Sequence, residues 1–197
     1  MELTTHPLTS DRWLDLEAVF LAKGCSMARG CWCMYYRESG KVEAPAGMSV
    51  SEDRRRRLRA LAAEDPPAGP IGYRDGEPVG WVALAPRSAY PRLRRSPVAK
   101  AVDDIPVWSI VCFVVPSAHR HQGVATALLR GAIAFARSRG APALEAYPID
   151  KVVPGADAWL WNGAMSMYRK AGFVEVARRR PERPVVRLAF EDEAAGT

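Results

Sequence analysis

Residues 107–140 read VWSIVCFVVPSAHRHQGVATALLRGAIAFARSRG, and the fold follows from them. Val107 to Val115 is almost continuously apolar, the pattern of a strand covered on both faces. Pro116 ends it. From Val124 the apolar residues are Val124, Ala127, Leu128, Gly131, Ala132, Phe135 and Ala136, one stripe at helical spacing. Gly140 and Pro142 are stop signals for that helix. Between strand and helix lies Arg120-His121-Gln122-Gly123-Val124-Ala125, an R-x-x-G-x-A pattern. First-turn N–H groups have no intrahelical acceptor and the helix dipole favours an anion there, so a glycine loop at this junction suits a phosphate. A Walker-type loop would need a lysine and a Ser/Thr after the last glycine, and neither is present.

The chain has 197 residues, 48% of them apolar, with a formal charge of +6. That length suits a single domain with a real core, here residues 1–190 followed by a flexible tail at 191–197. The basic balance sits largely in the clusters Arg54–Arg57 and Arg178–Arg180. It suits a polyanionic cofactor, and no aromatic-basic repeat or recognition-helix pattern points to a nucleic-acid partner. No segment approaches the roughly 18 apolar residues of a membrane span, and MELTTHPLTSDRW lacks a signal-peptide layout. A cytoplasmic protein with no membrane partner is expected. The cysteines are Cys25, Cys31, Cys33 and Cys112. Their C-x5-C-x-C start lacks zinc knuckles, so free, small, apolar thiols and no metal are expected.

Working outward, Glu2–Leu8 is a candidate strand and Asp11–Ala22 a helix capped by Thr9 or Ser10. Residues 24–40, GCSMARGCWCMYYRESG, have no clear period and are expected as an ordered loop or short strand beside the substrate. Ser51 is the expected cap of a helix at about Glu52–Ala63, its arginines forming a solvated face. Asp75-Gly76 signals a hairpin between Ile71–Arg74 and Val79–Leu84, lengthened by Glu77-Pro78. Residues 86–106 form a long proline-rich connector, and loops of that length inside a domain are often functional. Ala143–Tyr147 is a second strand, parallel to the first by strand–helix–strand logic. A helix at Trp159–Lys170, a strand at Phe173–Ala177 and a last strand at Val185–Phe190 complete the chain.

This order, with CFVVPSAHRHQGVATALL at 112–129 and MYRKAGFVEVAR at 167–178, resembles the GNAT acyltransferase superfamily. The resemblance spans about residues 2–190. The segment CWCMYYR is outside the general pattern and suggests a narrower subgroup. The resemblance implies an α/β (α+β) fold: a mixed, mostly antiparallel sheet, helices on both faces, and a central parallel strand pair splayed to admit acetyl-CoA. It implies that backbone at Phe113, Val114 and Val115 pairs with pantetheine. His121, Gln122, Gly123, Val124, Ala125 and Thr126 would cradle the pyrophosphate, with Arg120 supplying charge or shaping the loop. Ala125 stands where many relatives have glycine. Trp161 stands where they have asparagine, and Asn162 is one step off as a pantetheine contact.

The implied activity is N-acetyl transfer from acetyl-CoA, as co-substrate, to a small-molecule or peptide amine by direct attack in a ternary complex. The alternative is a non-catalytic acyl-CoA-binding regulatory module. Tyr168, four residues before Gly172, matches the acid that protonates the leaving thiolate; packing against the sheet is its other reading. Glu145, on the second parallel strand, is the best base candidate, and a strand-face salt bridge its other reading. Asp103, Asp104 and Asp150 are weaker base candidates. His119 and His121 are read as cofactor neighbours, and Cys112 as core. Trp32, Tyr35, Tyr36, Trp81, Trp108 and Trp159 are many aromatics outside the motifs. Those in residues 24–40 and Trp108 are candidates to line a pocket for a partly apolar or cationic acceptor. Pairing of C-terminal strands makes a homodimer possible.

Overall fold

The computed structural model describes residues 3–150 and 161–190. Seven strands form one sheet in the order β1-β2-β3-β4-β5-β7-β6. They are β1 (Leu3–Pro7), β2 (Pro70–Arg74), β3 (Glu77–Pro86), β4 (Trp108–Val114), β5 (Ala143–Ala146), β6 (Val174–Arg180) and β7 (Arg183–Ala189). Only β4 and β5 pair in parallel; every other neighbouring pair is antiparallel. The helices are α1 (Trp13–Leu21), α2 (Ser26–Cys31), α3 (Val50–Leu61), α4 (Pro91–Arg94), α5 (Val124–Ser138) and α6 (Met165–Lys170). Two buried clusters cover the two faces of the sheet. Leu16, Phe20, Leu58 and Trp81 belong to one, and Leu128, Leu129, Phe135 and Tyr168 to the other.

The central pair explains the site. The parallel pairing covers only Trp108–Ile110 against Leu144–Ala146. In the β3–β4 ladder Ala83 faces Cys112 and Leu84 faces Ile110, which leaves Val111 as an extra residue on β4. A bulge bends its strand and sharpens the local twist. It falls where β5 ends, so the outer part of β4 turns away and a gap opens between the two strands.

Helix α5 lies close to the sheet because Gly80 has no side chain. A Cβ there would sit 3.0 Å from Leu128 and Val124 side-chain carbons and 3.1 Å from the Val114 carbonyl. Burial of Leu128, Leu129 and Phe135 holds the helix, at roughly 1.5–3 kcal/mol per side chain. The start of α5 is thereby fixed beside the outer end of β4.

Several local expectations change. Asp75 and Gly76 both have positive φ, so they make a two-residue hairpin turn, and Glu77-Pro78 belong to β3. The cap of α3 is Ser49, which accepts from Glu52 N–H while the Glu52 carboxylate accepts from Ser49 N–H. No side chain caps the turn at Ser10–Arg12 or α1. Residues 24–40 hold α2 and a 3-10 turn at Tyr35–Arg37, with no strand; residues 86–106 hold a 3-10 turn at Arg87–Ala89 and α4. Helix α6 begins at Met165, because Gly163 has φ +79° and cannot continue a helical turn. Trp159 and the 191–197 tail lie outside the described residues. No helix among the described residues is long and apolar enough to cross a membrane.

Candidate active site

The gap between β4 and β5 opens into a cavity of about 970 Å³. Its lining comes from β4 and the loop that follows it, from residues 24–39, and from the segment around α4. Ten expected cofactor residues line it: Phe113, Val114, Val115, Arg120, His121, Gly123, Val124, Ala125, Thr126 and Asn162. Gln122 does not. Its side chain accepts from Arg74, donates to the Ala118 carbonyl at 2.7 Å, and so braces the loop from behind.

The start of α5 has the features of an anion site. Gly123 is its N-cap at φ +79°, and no side chain caps the helix. The glycine is needed for that left-handed backbone, since an added Cβ would meet nothing within 4 Å. Val124, Ala125 and Thr126 therefore point uncapped N–H groups toward the cavity that they line. Arg120 shapes the loop: its guanidinium donates to the Val115 carbonyl (3.1 Å) and the Gly24 carbonyl (2.8 Å). It ties the phosphate loop to the segment before α2.

Along β4 the gap is partly bridged. Phe113 N–H donates to the Trp161 carbonyl at 2.6 Å, and Asn162 Nδ2 donates to the Val111 carbonyl at 2.9 Å. Phe113 therefore has its amide engaged, and the strand alternation makes Val115 the next amide on that edge. Asn162 is 1% exposed and also donates to the Tyr36 hydroxyl at 3.4 Å.

The two expected catalytic side chains do not line the cavity. Tyr168 is fully buried and its hydroxyl donates to the Asn162 carbonyl at 2.8 Å. Burial, and then Cys112 nearby, push that hydroxyl well above its usual pKa. Glu145 is 1% exposed. Its Oε1 accepts from Arg187 Nη2 at 2.6 Å and Nε at 3.1 Å, and its Oε2 from Tyr147 at 3.3 Å, with Arg87 at 3.7 Å. This is the strand-face ion pair that was its other reading. Asp103 is paired with the same Arg187, and Asp150 with Arg178. Neither they nor Asp104 line the cavity, so none of the expected carboxylates faces it in this structure.

Of the aromatics expected at an acceptor pocket, Tyr36 is there, with a polar end that the sequence reading did not single out. It lines the cavity beside Cys112 and Asn162, and burial raises its hydroxyl pKa while Asn162 and Arg183 partly offset this. Tyr35 lines the cavity too. Trp32 does not: it stacks on Phe20 with centroids 4.8 Å apart. Trp81 packs on Phe20, and Trp108 packs on Phe135 of α5. Large apolar rings are more stable in the core, whereas the tyrosines keep a polar end at the wall.

Cys31, Cys33 and Cys112 line the cavity, and Cys31 Sγ accepts from the Cys33 backbone N–H at 3.3 Å. The bond from Cys33 pulls the Cys31 thiol down to about 7, and burial pushes Cys33 well up. All four cysteines are free thiols. No group of three His, Cys, Asp or Glu suited to a metal occurs among the described residues.

A cavity with a bulged β4, a gap beside it and an uncapped helix start is the frame of an acyl-CoA transferase. The family model described as Acetyltransferase (GNAT) family matches residues 32–173. The chain belongs to the GNAT acetyltransferase family. A search of curated proteins finds no match. Among solved structures the fold is similar to the polyamine N-acetyltransferase of Drosophila melanogaster, at TM-score 0.54 and 12% identity, covering 96% of this chain and 100% of that one. It is also similar to the GNAT domain of S. lividans PAT, at 0.51 and 20%, covering 94% and 89%. A third is PaiA N-acetyltransferase from Thermoplasma acidophilum in complex with coenzyme A, at 0.51 and 13%, covering 96% and 100%. At these identities the likeness is one of fold.

Proposed function

We propose that the protein transfers an acetyl group from acetyl-CoA to a primary amine by direct attack in a ternary complex. One observation carries this: the uncapped start of α5 and the outer edge of β4 open on the same cavity. Val124, Ala125 and Thr126 N–H groups would bind the pyrophosphate, with Gly123 shaping their turn. Val115, with its neighbours Phe113 and Val114, would run beside the pantetheine.

The thiol end of the cofactor then falls near the bulge of β4, among Cys112, Asn162 and Tyr36. A departing thiolate, with a thiol pKa of roughly 8.5, gains from a nearby proton. Tyr168 holds the position that the family resemblance assigns to that acid, but Asn162 separates its hydroxyl from the cavity. Tyr36 faces the cavity directly. In this reading Tyr36 donates the proton and Tyr168 positions Asn162 through its carbonyl. With Glu145 held in an ion pair, the ammonium proton of the acceptor leaves to water in the cavity before attack; after attack the nitrogen loses a second proton as the C–S bond breaks, and that proton restores the one Tyr36 gave to the thiolate. A rate that rises with pH toward the acceptor amine pKa follows.

Calorimetry with acetyl-CoA and a free-thiol assay over an amine panel test the proposal. One acetyl-CoA bound per chain and acceptor-dependent release of CoA are expected. Binding without release on any amine would instead support the acyl-CoA-binding regulatory module.

A further inference from the structure

We propose that the acceptor carries a carboxylate close to its amine, and that this carboxylate docks on Arg183. The inference rests on the transferase reading above and names its substrate class. The acceptor end of the cavity is walled by Tyr35, Tyr36, Ser39, Arg92, Arg95 and Arg183. Among the described residues that line the cavity there is no Asp or Glu. A polyamine would bring several positive charges into a wall of guanidinium groups. Three acids of the flanking segments are engaged elsewhere. Glu38 is turned toward α3, at 2.7 Å from Arg54 and 3.2 Å from Arg57. Asp150 and Glu175 are each 2.6 Å from Arg178.

The three arginines differ in what they have left to give. Arg92 donates to the Tyr35 and Glu38 carbonyls, at 2.7 and 3.2 Å, and stacks on the Tyr35 ring at 4.0 Å. Arg95 donates to the Ser39 carbonyl at 2.8 Å. Both are built into the wall that they form. Arg183, at the start of β7, has no hydrogen bond or ion pair to a described residue, and its charge reaches the Tyr36 hydroxyl. The side chain of this half-buried residue, without a partner among the described residues, presents a planar fork of N–H donors at the wall. That fork matches a single carboxylate in a two-point contact. The site therefore favours amino acids or a peptide whose carboxylate lies near the reacting amine. Of the partly apolar or cationic acceptor expected from the aromatics, this proposal keeps the apolar part and sets the cationic one aside.

The test sets L-amino acids against their decarboxylated amines: phenylalanine with phenethylamine, leucine with 3-methylbutylamine, arginine with agmatine. Spermidine and O-phosphoethanolamine are added. The wild type is compared with Arg183→Gln and Arg183→Lys. A carboxylate-bearing member of at least one pair should be preferred in kcat/KM by about tenfold or more, as for loss of a charge-assisted contact. Arg183→Gln should raise KM for that acceptor by roughly 10- to 100-fold with little change in kcat, and Arg183→Lys should restore part of it. Acetyl-CoA affinity should not change. Equal or better use of the decarboxylated amines or spermidine overturns the inference, as does preference for O-phosphoethanolamine. So does a loss of acetyl-CoA affinity in Arg183→Gln, which would assign Arg183 to the cofactor. If no amine is acetylated although acetyl-CoA binds, the transferase reading fails on its own. Calorimetry of the same pairs on the CoA-loaded protein then still decides the carboxylate site: preferential binding of the amino acid, lost in Arg183→Gln, supports it, and no preference overturns it.

Discussion

The two ends of the cavity are built from different materials. The cofactor end is main chain: N–H groups of Val124, Ala125 and Thr126, a glycine at φ +79°, and the edge of β4. Side chains there, such as Arg120 and Gln122, brace the loop from outside. The acceptor end is side chain: tyrosines, arginines and thiols from α2, the turn at Tyr35–Arg37, α4 and the β6–β7 hairpin. Backbone donors can be kept through much sequence change, whereas side-chain walls are rewritten by each substitution. A shared cofactor therefore coexists with acceptors that differ from one family member to another.

The largest expected effect lies at neither end. Arg187→Met would leave Glu145 buried with only Tyr147 and the longer contact to Arg87 at 3.7 Å, a loss of about 3 kcal/mol. Thermal unfolding should show a Tm lower by roughly 10 °C for a domain of this size. Turnover measured well below that Tm should be nearly unchanged; a large loss of kcat there would return Glu145 to the chemistry. Next comes the acceptor side. Tyr36→Phe should lower kcat by roughly 100-fold, in the range for a lost general acid, with acetyl-CoA affinity intact. Tyr168→Phe should cost less in kcat than Tyr36→Phe; the reverse order would make Tyr168 the acid and break the division proposed here.

The cofactor end should respond in the opposite way. Gly123→Val forces a β-branched residue into a left-handed turn, at about 1–2 kcal/mol. Calorimetry should report acetyl-CoA binding weaker by roughly 5- to 30-fold, with KM for the amine little changed. The smallest effect is chemical. Cys31, with its thiol lowered to about 7, should react with iodoacetamide at a rate that rises between pH 6 and 8 and then levels. The sign follows from the depressed value: thiolate forms as pH passes 7. Cys33, raised by burial, should stay unlabelled over the same range. A labelling midpoint near 9 would show that Cys33 does not hydrogen-bond to Cys31 in solution.

The cofactor half was legible in residues 107–140 because its physics is local. A buried strand, a glycine turn and an amphipathic helix are set by neighbours in the chain, and their order already specifies where N–H groups go unpaired. The helix α6 was legible in type but not in its start, since Gly163 overrides the apolar pattern before it. The segment 24–40 was not legible: its α2 is six residues long and its rings divide between core and wall. Trp32 and Tyr36 are four residues apart, and only packing against Phe20 on one side and Asn162 on the other separates their fates.

By itself, then, the sequence determined the sheet's parallel pair, the glycine turn that opens α5 and the family, because periodicity and turn chemistry act over a few residues. Tertiary structure decided which titratable groups reach the cavity. Glu145 meets Arg187 across 42 positions of chain, and Asn162 meets Tyr36 across 126. Whether a carboxylate is a base or half of an ion pair, and whether an arginine is spent or available, depends on partners that only the folded chain brings within reach. In the proposed reading the Val107–Gly140 stretch holds the cofactor, and Tyr36 and Arg183, far from it in sequence, give the other half of the site its chemistry.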